Sequence, residues 1–204
     1  MKTIITIGRQ FGSGGKEIGI RVAKELGIPF YDKELITAAA KQSGLCDSFL
    51  QNFEETPTSS LMYSLVMNAQ NGGFYMGKPI ELVAYEAQIN AVREAAKNGP
   101  CVIVGRCADY ILKDDYDVVS VFITASPEYR AARAAKLENI SIKEAQAKLN
   151  RMDKARASYH NYHAETKWGA SDSYELCINS EKLTTEQAAD LIKFYIDNRK
   201  APEE

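Results

Sequence analysis

The sequence predicts an α/β fold in which a parallel sheet carries helices on both faces. Three observations lead there. Short apolar runs alternate with segments of helical period. The first run ends in a glycine-rich bend that opens straight into a helix. The composition is that of a globular core, 45% hydrophobic and 25% charged over 204 residues. That length suits one domain with a single sizeable core and a small insertion or lid.

Each element has its own warrant. Ile4, Ile5 and Ile7 mark a strand over 3–7, followed by the bend Gly8-Arg9-Gln10-Phe11-Gly12-Ser13-Gly14-Gly15-Lys16. Glycines let consecutive backbone N–H groups face one concavity, and a helix N-terminus adds partial positive charge, so the bend is a candidate phosphate cradle. In the helix expected over 15–26, Ile18, Val22 and Leu26 recur every four residues, Ala23 widens the stripe, and Gly27 with Pro29 ends it. A second strand is expected at 28–31 and a helix at 33–43. About seventy residues then precede the third strand, far more than a crossover needs. Asn71-Gly72-Gly73 and Gly77-Lys78-Pro79 interrupt them, which predicts a broken helical stretch within 58–98 as an inserted substrate-side region. Strands at 101–104, 118–124 and 174–178 and helices at 107–112, 127–138, 141–160 and 184–198 complete the alternation. Ser141 with Glu144, and Thr184 with Gln187, fit capping boxes at the start of the last two helices.

A formal charge of -2 argues against a general nucleic-acid binder. Cys46, Cys101, Cys107 and Cys177 lack CxxC spacing, and the chain opens on a core strand rather than a signal region, so a reducing, cytoplasmic setting is expected. No run approaches the roughly 18 apolar residues of a membrane span, and no membrane partner is expected. His160 and His163 lie three apart beside Tyr159 and Tyr162, with no third ligand evident, and no metal site is expected of them.

The glycine loop departs from a strict GxxxxGK[ST] motif. With Lys16 as the phosphate-binding lysine, Gln10 takes the first glycine position and Glu17 the hydroxyl position; with Gly12-Ser13-Gly14 aligned instead, Gly15 takes the lysine position. The difference amounts to one inserted residue. A hydroxyl at that last position normally coordinates Mg²⁺, so the ion must be held otherwise, by Ser13, Asp32 or the nucleotide alone.

Further candidates lie at strand ends. Asp32 and Lys33 follow the second strand at the sheet edge that faces the ligand crevice in open α/β folds. Asp32 can orient an acceptor phosphate or a metal-bound water, or act as a helix N-cap. Gly105 permits close approach after the third strand, and Arg106 can grip a phosphate bidentately. Residues 130–156 are strongly basic, with Arg130, Arg133, Arg151 and Arg156 among them. Phosphoryl transfer needs cations around the equatorial oxygens, and a helical lid can deliver them. For the lysines of this stretch a solvated face is the better reading.

Residues 8–18, Gly27-Ile28-Pro29-Phe30-Tyr31-Asp32-Lys33-Glu34 and Ile123-Thr124-Ala125-Ser126 resemble the cytidylate kinase-like family, a branch of the P-loop nucleoside monophosphate kinases. The resemblance runs over nearly the whole chain. It implies a P-loop NTPase fold with a five-stranded parallel sheet, a helical NMP-binding insertion and an arginine-bearing lid. The implied division is one kinase domain with core 1–45, 99–130 and 170–198, insertion about 46–98 and lid about 131–169. Val104-Gly105-Arg106 matches the strand end where the family carries an NMP-contacting arginine, and Ile178-Asn179-Ser180 through Leu183 resembles the last strand and the loop approaching the adenine. Where the family begins a DTG stretch, Asp32 is followed by Lys33 and Glu34.

The expected function is transfer of the γ-phosphoryl group of ATP, with Mg²⁺, to a nucleoside monophosphate, CMP or dCMP first. Gly8, Arg9, Gly12, Ser13, Gly14, Gly15, Lys16 and Glu17 would hold the donor's phosphates; Asp32, Lys33 and Arg106 would hold the acceptor; Lys16, Arg130, Arg151 and Arg156 would act on the transferring group. Two alternatives remain. A nucleotide-binding sensor with little transfer activity is favoured by Glu17, and a kinase of another small acceptor by Lys33 and Glu34.

Overall fold

The computed structural model describes residues 3–32, 34, 74–75 and 78–200. The expected helix at 33–43, Lys33, Cys46 and the insertion up to residue 73 lie outside the described residues. Strands β1 (Thr3–Arg9), β2 (Phe30–Tyr31), β5 (Cys101–Val104), β6 (Asp117–Thr124) and β7 (Leu176–Asn179) form one sheet in the order β2-β5-β1-β6-β7. Every pairing in it is parallel. β1 is central, which is why it reads as an unbroken apolar run: both its faces are covered. Ile5 and Ile7 pack with Ile18 and Val22 of α1 (Gly15–Leu26) and with Ala188 and Ile192 of α6 (Thr185–Asn198). Ile4 packs on the other face with Val92 and Ala96 of α2 (Ile80–Lys97) and with Ala108 and Leu112 of α3 (Ala108–Leu112). Alternate residues of one strand thus anchor opposite helical layers.

The remaining helices, α4 (Pro127–Glu138) and α5 (Ile142–His163), pack on each other through Ala131, Ala134, Ala145 and Leu149. Both expected capping boxes form, at Ser141 with Glu144 and at Thr184 with Gln187. α5 runs to His163, past the end expected at 160, and the core–lid boundary expected at 130 falls inside α4. Within the stretch expected to be a broken helical one, the described part holds a continuous helix over Ile80–Lys97, and at the expected break Phe74–Tyr75 (β3) and Lys78–Pro79 (β4) pair as an antiparallel ladder. The aromatic pair favours a strand, and Pro79 at its end has no N–H to donate. No described helix is long and apolar enough to cross a membrane.

The parallel sheet sends every strand's carboxyl end to one edge, and the candidate residues gather there. Ile123 is fully buried in β6, between β1 and β7 at that edge. Ile123→Ala is expected to cost about 3 kcal/mol by deleting buried methyl groups. Urea unfolding would report this as a lower midpoint at unchanged slope.

Candidate functional site

The glycine loop is pinned to the sheet before it turns. Gln10 donates its N–H to the Ile123 carbonyl at 3.0 Å, and its side-chain oxygen accepts from the Thr124 hydroxyl at 2.5 Å. Gly12 and Gly14 adopt φ of 79° and 82°, and Gly14 caps α1. A Cβ at Gly12 would lie 2.7 Å from the Arg130 carbonyl oxygen, and one at Gly15 would lie 2.6 Å from Arg9 Cβ, so both glycines are required by packing. At Gly14 the nearest atoms belong to the Arg133 guanidinium, at 3.6 Å and beyond, so its missing side chain leaves the mouth of the cradle open. Ser13 is buried; its Oγ donates to the Gln10 carbonyl at 2.8 Å, and its carbonyl accepts from Ser180 Oγ at 2.7 Å. The Ser13 hydroxyl proton is therefore used within the loop itself. Backbone, helix terminus and open mouth fit the phosphates of a nucleotide.

Charged side chains ring this cradle. Lys16 Nζ lies 2.7 Å from Asp32 Oδ2 and 3.7 Å from Glu34, and the hydrogen bond to Asp32 holds the ammonium above its ordinary pKa. Asp32 Oδ1 accepts the Glu34 N–H at 3.0 Å, so its two carboxylate oxygens are divided between a backbone amide and Lys16. Burial pushes Glu17 up, but the hydrogen bond from Arg133 at 2.8 Å, the backbone N–H of Glu17 and the charges of Arg133 and Lys16 together outweigh it and leave the carboxyl below its usual range. Arg133 Nη1 also donates to the Gly12 carbonyl at 3.5 Å, which sets this arginine at the rim of the cradle.

The second cluster lies after β5. Gly105, Arg106 and Cys107 take φ of 77°, 65° and 52°, three consecutive left-handed residues of which only the first is glycine. Such strain, of order 1–3 kcal/mol per residue, is kept where surrounding structure imposes it, often at functional sites. Arg106 is 5% exposed and faces a small cavity lined also by Gly8, Arg9, Asp109, Arg156 and His160. A Cβ on Gly105 would overlap the Arg9 guanidinium, and Arg156 Nη1 donates to the Arg9 carbonyl at 3.1 Å. Three arginines from separate parts of the chain thus meet at the carboxyl edge beside the cradle, an arrangement suited to a multiply charged anion.

Asp109 and His160 form the far wall, with Asp109 Oδ2 4.0 Å from His160 Nε2 and Thr166 Oγ1 2.9 Å from the same nitrogen. Burial pushes Asp109 up and His160 down. His163 stacks on Tyr85 with centroids 3.8 Å apart, and burial pushes its pKa down to about 4, so the ring is neutral near pH 7. Among the described residues no group of three or more His, Cys, Asp or Glu could hold a metal.

Two expected lid arginines sit differently from each other. Arg151 is exposed on α5. Arg130, expected over the transferring group, is 6% exposed and bonded to the carbonyls of Ala125 at 3.1 Å and Phe11 at 3.0 Å and to Asp153 at 2.5 Å. In this arrangement it shapes the loop from behind. Sequence reasoning missed Asp153, Asp109 and the placement of Arg133. Asp153 has no motif around it, and its only hint is its spacing of three from Arg156 on one helix face.

The sequence model of the Cytidylate kinase-like family matches residues 4–182. The chain is 27% identical over 199 residues to a cytidylate kinase of Pyrococcus horikoshii, covering 97% of this chain and 90% of that protein. It is 22% identical to a cytidylate kinase of Methanopyrus kandleri, covering 97% and 94%. Among solved structures, an uncharacterized protein from Eubacterium ventriosum is similar at TM-score 0.74 and 32% identity, covering 97% of this chain and all 100% of that one. Shikimate kinase from Bacteroides thetaiotaomicron shares the fold at TM-score 0.54 and 14% identity, covering 97% and 99%.

Proposed function

We propose that this chain, which belongs to the cytidylate kinase-like family, transfers the γ-phosphoryl group of ATP to the phosphate of a nucleoside monophosphate, with CMP or dCMP the first choice. The observation that carries the reading is the cavity shared by Arg9, Arg106 and Arg156 beside an open glycine cradle. One anion site for a donor and one for a phosphate-bearing acceptor then stand side by side. The two relatives described as cytidylate kinases support the choice of acceptor.

In this reading the amides of residues 12–16 and Lys16 hold the donor's β-phosphate, and Arg106 holds the acceptor phosphate. Arg156, with Arg151 on the exposed face of α5, balances charge that develops on the transferring oxygens. Asp32 is the carboxylate that would help hold a Mg²⁺ brought by the nucleotide, which would supply charge neutralisation at the donor's phosphates. The work is positioning and electrostatics, so no nucleophilic side chain is required. A role acting on charge that develops during transfer makes Arg156→Lys, which keeps the charge and loses the planar fork, lower kcat about tenfold. Direct titration should find ATP affinity changed much less.

A second reading, a kinase of a small hydroxylated acceptor, is favoured by Asp109 and His160 in the wall of the same cavity, where a carboxylate or imidazole can take a hydroxyl proton. A coupled ADP-release assay with Mg²⁺-ATP against nucleoside monophosphates and hydroxylated metabolites separates the two. Acceptor-dependent ADP with CMP or dCMP supports the first reading, ADP with a non-nucleotide supports the second, and ATP binding without acceptor-dependent ADP marks a sensor.

A further inference from the structure

We propose that Asp153 is a positioning residue that joins the glycine loop to α5, so that donor phosphates in the loop are felt along that helix. The inference rests on the loop being the donor site. Asp153 Oδ1 accepts the Phe11 N–H at 2.7 Å, and Oδ2 takes Arg130 Nη1 at 2.5 Å. The same Arg130 nitrogen donates to the Phe11 carbonyl at 3.0 Å. The peptide groups on both sides of Phe11 are therefore held by one ion pair, with side chains 7% and 17% exposed, drawn from α4 and α5.

The Phe11 ring completes the joint. It packs against the cluster of Ala131, Ala134, Ala135 and Leu149 between the two helices. Lys148 Nζ and Arg156 Cζ stand 5.3 Å and 5.8 Å from its centroid. One turn beyond Asp153, Arg156 donates to the Arg9 carbonyl at 3.1 Å, so loop residues 9 and 11 are bonded to the same face of α5. This arrangement gives the extra residue of the loop a purpose. Phe11 leaves the cradle and becomes a peg in the helical seam, and Gly12, at φ 79°, turns the chain back beneath Arg130.

A ligand that orders the loop amides then restrains α5 through these bonds, and what loosens α5 weakens the ligand. Hydrogen exchange with ADP alone is expected to slow amides 8–17 and, in the same experiment, amides 149–156 by about tenfold. Removing a charged hydrogen-bond partner is worth roughly 1.5–3 kcal/mol, so Asp153→Ala should weaken ADP binding by about tenfold or more and abolish the α5 response. Asp153→Asn keeps an acceptor for the Phe11 N–H and should recover most of the affinity. Phe11→Ala leaves both backbone bonds available and should keep the α5 response, a test that stands where Asp153→Ala does not fold; loss of the response there would give the coupling to the ring packing and overturn the inference. Protection of 8–17 with none at 149–156 in the parent protein would overturn the inference and leave the donor site standing. So would a lower melting temperature in Asp153→Ala with ADP affinity and the α5 response unchanged, since that is an ion pair serving stability alone. Absence of protection at 8–17 would remove the donor-site reading and this inference with it.

Discussion

Arg106→Ala is expected to lower kcat/KM for the nucleoside monophosphate by about 100-fold, the effect of losing a charge-assisted bidentate contact worth a few kcal/mol. ATP affinity should stay near the parent value, because the cavity that Arg106 lines includes none of the cradle residues 12–16. The placement of Arg106 makes a large effect reasonable. The side chain is 5% exposed and its backbone is held at φ 65° between Gly105 and Cys107. Alanine meets the same backbone demand, so the change isolates the guanidinium. Arg106→Lys keeps the charge and should recover only part of the activity, since lysine has no planar fork. Steady-state kinetics in the acceptor, with ATP saturating, measures both variants; unchanged kcat/KM in Arg106→Ala would remove this residue from the acceptor site.

Gly14→Val is expected to abolish ATP and ADP binding. A β-branched residue at φ 82° is a conformational outlier, and its side chain would project where the cradle is open. The nearest atoms around that Cβ are the Arg133 guanidinium at 3.6 Å and beyond, an ordinary contact, so the cost to folding is local backbone strain without a clash. Gly12 and Gly15 offer no such test, because a Cβ there strikes Arg130 and Arg9 and would disturb packing as well as binding. Isothermal titration with ADP, beside circular dichroism on the same preparation, reads the result. A folded Gly14→Val that binds ADP as the parent does would move the donor site elsewhere.

The elements that the sequence reveals are those whose environment is uniform. β1 is buried on both faces, so its isoleucines leave an apolar run that needs no partner to be read. The capping boxes of α5 and α6 are local, completed within four residues, and both are in place. The ladder of Phe74–Tyr75 with Lys78–Pro79 was hidden because glycine and proline signal a break without saying what the break joins. The site divides in the same way. Arg106 stands out in the sequence because an arginine straight after a buried strand has few reasons to be there, and the fold places it in the wall of a cavity. Its meeting with Arg9 and Arg156 is a product of strand order and of the packing of α5, which no spacing in the chain records. Arg130 looked like a lid residue because it shares a basic stretch with Arg151 and Arg156. Only the fold shows its guanidinium turned to the Phe11 carbonyl and Asp153.

In the proposed reaction the acceptor oxygen belongs to a phosphate. Phosphorus NMR of the protein mixed with Mg²⁺-ATP and CMP observes the bond that forms. Loss of the ATP γ-phosphate signal is expected, matched by coupled α and β signals of a new nucleoside diphosphate and of ADP, with little free inorganic phosphate. Release of inorganic phosphate without a new diphosphate, or an unchanged ATP spectrum with CMP, dCMP and the other nucleoside monophosphates alike, would contradict it.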